Sequence, residues 1–175
     1  MRLPNTTNIT THFETHKGRH EPIGCSMGMA SVFYDVLNHV VIDSSIENTH
    51  KSERELASCH LSFAKQNDLI IYDRRYTAFW LYAFHLQHNY NFCMRTKINQ
   101  MKQIKAFIKS NKKEAIITLI PNRSSIKTCQ EKSLSTAPIK LRLIRVDLPN
   151  ETEVLIPHLM DKKAYPATVS KSLYH

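Results

Sequence analysis

Leu69-Ile70-Ile71-Tyr72-Asp73-Arg74-Arg75-Tyr76 decides how the rest of this chain is read. Leu69 to Ile71 is an unbroken apolar run with β-branched members, the pattern of a central strand covered on both faces. Asp73 follows at its C-terminal tip, with two arginines and the Tyr76 phenol beside it, and a helical pattern starts at Thr77. In open α/β sheets, chemistry sits beyond the carboxyl ends of the strands. A carboxylate there can hold a divalent metal through its oxygens, and the arginines can hold phosphates. A plainer reading uses the same residues: Asp73 caps the helix near Thr77 and pairs locally with Arg74 or Arg75.

Upstream of this strand, Ser52-Glu53-Arg54-Glu55 is a capping box, so a helix starts there with Leu56, Cys59, His60 and Phe63 as its core-facing stripe. His60 on that stripe reads as a packed core histidine. Before it, Ser26 to Val36 and Val40 to Ile42 read as an antiparallel pair joined by a turn at Leu37-Asn38-His39. Asp35 and Asp43, near the strand ends, read as turn and surface residues. Residues 1–25 are polar and read as solvated loop or edge strand. His12, His16 and His20 recur every fourth residue, yet Gly18 and Pro22 break the helix that would align them for a metal.

Downstream, Thr77 to His88 carries Phe79, Trp80, Tyr82, Phe84 and Leu86 and reads as a buried helix, followed by a strand at Asn91 to Thr96. Met101 to Lys109 is a basic amphipathic helix. Ile104, Phe107 and Ile108 lie on one side, with Lys102, Lys105 and Lys109 on the other. Glu114 to Ile120 reads as a strand and Pro121 to Ala137 as a polar loop. Ile139 to Leu148 alternates with Lys140 and Arg142 outward, but its phase flips between Leu143 and Ile144, which predicts a β-bulge or bend. Pro149-Asn150 turns the chain into a hairpin partner at Thr152 to Ile156, and a helix begins after Pro166.

The 175 residues amount to one domain, or one domain with a subdomain, and can bury a core of ordinary apolar content. The four cysteines (Cys25, Cys59, Cys93 and Cys129) are scattered, which suits reduced thiols and argues against a zinc knuckle or disulfide framework. No apolar run has membrane-spanning length and no basic-then-apolar leader opens the chain. The expectation is a cytoplasmic protein with no membrane partner. The Asn-x-Ser/Thr triplets at Asn5, Asn8, Asn122 and Asn150 then read as chance. The net charge of +9 is concentrated: residues 95–145 hold thirteen Lys or Arg against Glu114 and Glu131, while the rest of the chain is slightly acidic. Such a stretch attracts polyanions through phosphate contacts and counterion release, or else is only a solvated face.

Tyr72-Asp73-Arg74-Arg75-Tyr76, between a hydrophobic strand and an aromatic helix, resembles the Asp-Arg-Gly-Tyr segment of DDE transposases, most closely the insertion-sequence-4 class. Other segments agree in order. Arg2-Leu3-Pro4-Asn5 resembles the stretch after that family's first catalytic aspartate, and Tyr34-Asp35-Val36 its second strand. Asn91-Phe92-Cys93-Met94-Arg95 resembles its Phe-x-x-Arg strand, and Leu173-Tyr174-His175 the opening of its signature helix. Arg75 departs from the family, which more often has Gly there.

The resemblance implies an α/β fold with an RNase H-like core that lacks its first strand and last helix and carries an inserted β-rich subdomain. Residues 1–97 would be the catalytic core portion, 98–160 the basic insertion, and 161–175 the start of the signature helix. It implies that the parent enzyme binds transposon-end DNA and uses Mg2+ or Mn2+ for phosphodiester cleavage and strand transfer. Asp73 would be catalytic and a metal ligand, with Tyr76 and Tyr174 as support. Arg74, Arg95, Lys97, Lys102, Lys105, Lys140 and Arg142 would face DNA. The family's other two carboxylates have no counterpart here, so the expectation is a truncated copy inactive alone, with poor solubility from exposed apolar surface. The alternative is a non-catalytic DNA-binding remnant that regulates a full-length transposase, as a homodimer or by pairing with it.

Overall fold

The computed structural model describes residues 1–18 and 21–174. His20 and His175, named above, lie outside the described residues. The chain is mixed α/β and divides into two compact units, Met1–Ala64 and a second that begins at Lys65. The sequence reading instead sets boundaries after residues 97 and 160. No helix among the described residues is long and apolar enough to cross a membrane.

The first unit is built on one long strand. The elements in order are β1 (Arg2–Leu3), α1 (Thr7–Phe13), β2 (His16–Gly18), β3 (Glu21–Asp35), β4 (Val40–Asn48) and α2 (Glu53–His60), with a 3-10 turn at Leu61–Phe63. β3 pairs antiparallel with β1, β2 and β4. Asp35 closes the β3–β4 turn by accepting the Leu37 and Asn38 amides at 2.9 and 3.0 Å. The Ser52–Glu55 capping box starts α2 as expected: Glu55 N–H donates to Ser52 Oγ, and Ser52 N–H to the Glu55 carboxylate. Leu56 and His60 are buried, but Cys59 and Phe63 are exposed, which narrows the expected stripe. Helix α1 was not expected from this Thr-rich stretch. Its Thr10 and Thr11 hydroxyls bond back to the Thr6 and Thr7 carbonyls, which gives the polar ends of these β-branched side chains local partners. His12 lies on α1 and His16 on β2, so the two share no helix face.

In the second unit, β5 (Leu69–Tyr72), α3 (Phe79–Gln87) and β6 (Asn91–Thr96) form a parallel strand–helix–strand unit. Then come α4 (Lys102–Lys109), β7 (Glu114–Leu119), α5 (Arg123–Glu131), β8 (Ile139–Asp147), β9 (Thr152–Pro157) and α6 (Ala167–Ser172). One sheet of order β5-β6-β9-β8-β7 joins them, so strands on both sides of the residue 97 boundary share hydrogen bonds. Three expectations are corrected here. β5 is an edge strand with Ile71 exposed, not a central strand covered on both faces. The expected loop over 121–137 contains α5, capped by Asn122 through the Ser125 amide at 2.8 Å, with Cys129 buried on its inner side. β8 has no bulge: its register with β7 runs unbroken through Leu143 and Ile144. The phase flip arises because Leu141, Arg142, Leu143 and Ile144 are all buried, as in a strand covered on both faces.

Candidate functional site

Asp73 leaves the C-terminal tip of β5 as sequence reasoning placed it, and it is 51 % exposed. It does not cap a helix, because α3 begins later, at Phe79, after Ala78 with no side-chain cap. Its Oδ1 instead accepts three hydrogen bonds: from Arg74 N–H at 2.7 Å, and from Arg95 Nη2 and Nε at 2.7 and 3.0 Å. The Arg95 guanidinium lowers the Asp73 carboxyl below its usual range against a smaller effect of burial, and the Arg74 amide and charge assist. Arg95 forks onward, its Nη1 donating to Glu153 Oε1 at 2.9 Å. Glu153 is on β9, 5 % exposed at its side chain, and reaches this end of the sheet because β9 runs antiparallel to β6. Sequence reasoning missed Glu153, since nothing in Thr152 to Ile156 marks one acid as facing Arg95.

The tip is braced from below. The Tyr174 hydroxyl lies 2.8 Å from the Tyr72 carbonyl and 2.7 Å from the Cys93 carbonyl, so its single proton is shared across β5 and β6. Burial pushes the Tyr174 phenol up, and pushes the Cys93 thiol up to about 12. The Tyr76 ring lies 5.2 Å from the Tyr72 ring, tilted by 38°. Tyr76 and Tyr174, the residues expected as support, both touch the strand that carries Asp73. The Thr96 hydroxyl donates to Gln100 Oε1 at 3.1 Å and the Gln100 amide to the Thr77 carbonyl at 3.2 Å, which ties the loop after β6 to the start of α3.

These residues do not fit a tightly held divalent ion. Mg2+ takes six oxygens in near-octahedral geometry, and the cation already seated between Asp73 and Glu153 is a guanidinium. Among the described residues no group of three or more His, Cys, Asp or Glu stands ready to hold a metal.

The expected DNA-facing residues separate into two sets. Lys97, Lys102, Lys105 and Lys140 are exposed, as is Arg74. Lys102, Lys105 and Lys109 line the outer side of α4, whose Ile104 and Phe107 are buried, and among the described residues none of the three pairs with an acid. Arg95 is committed to Asp73 and Glu153. Arg142 cannot face DNA: it is 0 % exposed. Its Nε donates to Glu114 at 3.0 Å, and its Nη1 lies 2.7 Å from both the Leu159 and Tyr165 carbonyls. Lys140 and Arg142 share one face of β8, as the alternation predicts, but at Arg142 that face is covered by the chain after β9, and its guanidinium pairs with Glu114 of β7. No family model matches the chain, and no curated protein matches it.

Proposed function

We propose that this is a transposase-derived α/β protein that holds DNA through phosphate contacts and does not cut it alone. The observation that carries this reading is the outer face of α4, where three lysines project into solvent and none forms an ion pair with an acid among the described residues. Lysines so placed neutralise phosphates and release counterions without reading bases. The order of elements supports part of an RNase H-like core: an antiparallel hairpin, a helix, then a parallel strand–helix–strand unit with β5 at a sheet edge. The strands β7 to β9 would be the inserted β-rich subdomain, and the partner is transposon-end DNA in the nucleoid.

Chemistry at Asp73 follows from its partners. Its carboxylate stays ionised, but its charge is neutralised by Arg95, and Glu153 is held by the same guanidinium. No Mg2+- or Mn2+-dependent step is therefore assigned to this chain on its own. A regulator that occupies the DNA of a full-length relative needs only the lysine face.

Fluorescence anisotropy on a duplex, titrated with salt, tests this. Binding strength should fall linearly in log–log form, with a slope near 0.9 per neutralised phosphate. Lys102→Glu with Lys105→Glu and Lys109→Glu should reduce that slope by about three contacts. No binding at low salt, or a slope the triple variant leaves unchanged, would overturn the DNA reading. Mn2+-dependent nicking lost in Asp73→Ala would overturn the claim that the chain does not cut.

A further inference from the structure

We infer that Ser31, His60 and Asp43 of the first unit form a nucleophilic acyl-transfer site for a small neutral ester. His60 sits at the end of α2, 3 % exposed, over the face of the β3–β4 pair. Asp43 Oδ2 lies 2.6 Å from His60 Nδ1, and Ser31 Oγ lies 3.0 Å from Nε2. The order is carboxylate, imidazole, hydroxyl, each within hydrogen-bond reach of the next. A carboxylate on Nδ1 fixes the proton there and leaves Nε2 as the acceptor for the serine hydroxyl. Three separate elements supply the three residues, and the ladder places two of them: Ser31 pairs with Ser45 and Phe33 with Asp43, so all four side chains share one face. Phe33 stacks on the His60 ring at 6.4 Å and 12°, which holds the imidazole in plane.

Ser31 is only half-buried, which leaves this side of the β3–β4 face open to a small ligand. Gly28 N–H donates to the Met1 carbonyl at 2.9 Å and the Met1 ammonium donates to the Gly28 carbonyl at 2.8 Å, so the Gly28 polar atoms face away from β4. Alternation turns Ala30 and Val32 the same way. Beyond Met27, no strand among the described residues pairs that edge of β3. The Ala30 and Val32 amides on either side of Ser31 therefore point away from β4, and no strand among the described residues takes them up. Glu47, paired with Met29 on the same face, is bridged to Lys51 at 3.1 Å, so the Asp43 carboxylate beside His60 is the charge that disfavours an anionic ester.

In the reaction, Ser31 Oγ bonds to the ester carbonyl carbon as its proton passes to His60 Nε2. The carbon–alkoxide bond then breaks, and the alkoxide takes that proton and leaves as the alcohol. Water repeats the sequence on the acyl-serine, giving the carboxylic acid and free Ser31. Water is the only co-reactant, and none of the α4 lysines takes part.

The test is to treat the full chain with a fluorophosphonate, locate the adduct by tandem mass spectrometry, and follow p-nitrophenyl acetate for a burst of one equivalent. A single adduct at Ser31 is expected, absent in Ser31→Ala, at least tenfold slower in His60→Gln and Asp43→Asn, and unchanged in Ser45→Ala. Because Ser31→Ala removes a buried hydrogen bond, Ser31→Cys provides a folded control. Its thiol should take chloroacetamide at least tenfold faster than the exposed Cys59 does, and His60→Gln should erase that advantage. No adduct, adducts scattered over several serines, or labelling indifferent to His60→Gln would each overturn the inference and leave the three residues as a structural relay.

Discussion

Arg142 joins three segments of the second unit at one point: an acid on β7 and two carbonyls in the chain after β9. A planar fork is needed for that, and an ammonium cannot reproduce it. Burial alone would raise the Glu114 carboxyl, yet hydrogen bonds from Lys162 and Arg142 outweigh it and hold the acid below its usual range. Arg142→Lys should cost about 3 kcal/mol in urea unfolding, whereas Lys140→Ala, two residues away and exposed, should stay within about 0.5 kcal/mol. Equal small effects would contradict the buried assignment. His85 supplies a second residue-scale prediction. Burial pushes its imidazole down to about 3, and its Nε2 lies 3.0 Å from the Tyr72 hydroxyl. With the folded value below the unfolded one, the unfolded chain takes up the proton first. Stability is thus present above about pH 6.5 and lost as acid approaches pH 3, at about 1.4 kcal/mol per unit for this one proton. His158, also lowered by burial, acts in the same sense. His85→Phe should flatten the stability–pH slope over that window, and chemical unfolding at stepped pH values measures it.

At the scale of elements, Asn122→Ala should uncap α5 and cost about 1 kcal/mol, read as a lower melting temperature with a small loss of helical signal. An unchanged melt would mean the cap contributes nothing. The elements that were legible beforehand carry their own local signals. The Ser52–Glu55 box, the strand over Asn91 to Thr96, and the lysine side of α4 depend on neighbours three or four residues away, or on a continuous apolar run. The elements that were not legible depend on distant ones. α5 is short and polar on most of its surface, so its Cys129 contact was hidden among Ser, Lys and Thr. β8 looked bulged because only the sheet order shows that both its faces are covered. For the same reason the position of Asp73 was readable, while its bond to Arg95 and the indirect link to Glu153 were not: strands β6 and β9 lie far apart in sequence and meet only through the ladder.

Across the whole molecule, the division after Ala64 falls in an exposed segment, Lys65 to Asp68, closed by the Lys65 amide on the Asp68 carboxylate at 2.8 Å. Brief trypsin treatment should release a fragment beginning at Gln66, and cleavage first within β6 to β9 would contradict the division. The first unit also leaves Val32, Tyr34, Val36, Leu37, Val40, Val41 and Ile46 exposed on and around its hairpin. Charged replacements such as Val41→Lys should raise the concentration at which light scattering detects association.

The place of β5 at the rim of its sheet sets a clock. Only β6 stands beside it among the described residues, whereas β8 is flanked by β7 and β9. In deuterated water the amides of Leu69 to Tyr72 should trade their protons early and those of Leu141 to Ile144 last. Tyr174→Phe, which removes the shared phenolic proton from the Tyr72 and Cys93 carbonyls, should bring the early exchange forward and leave β8 untouched. The strand that presents Asp73 should thus open more often than the one that buries Arg142.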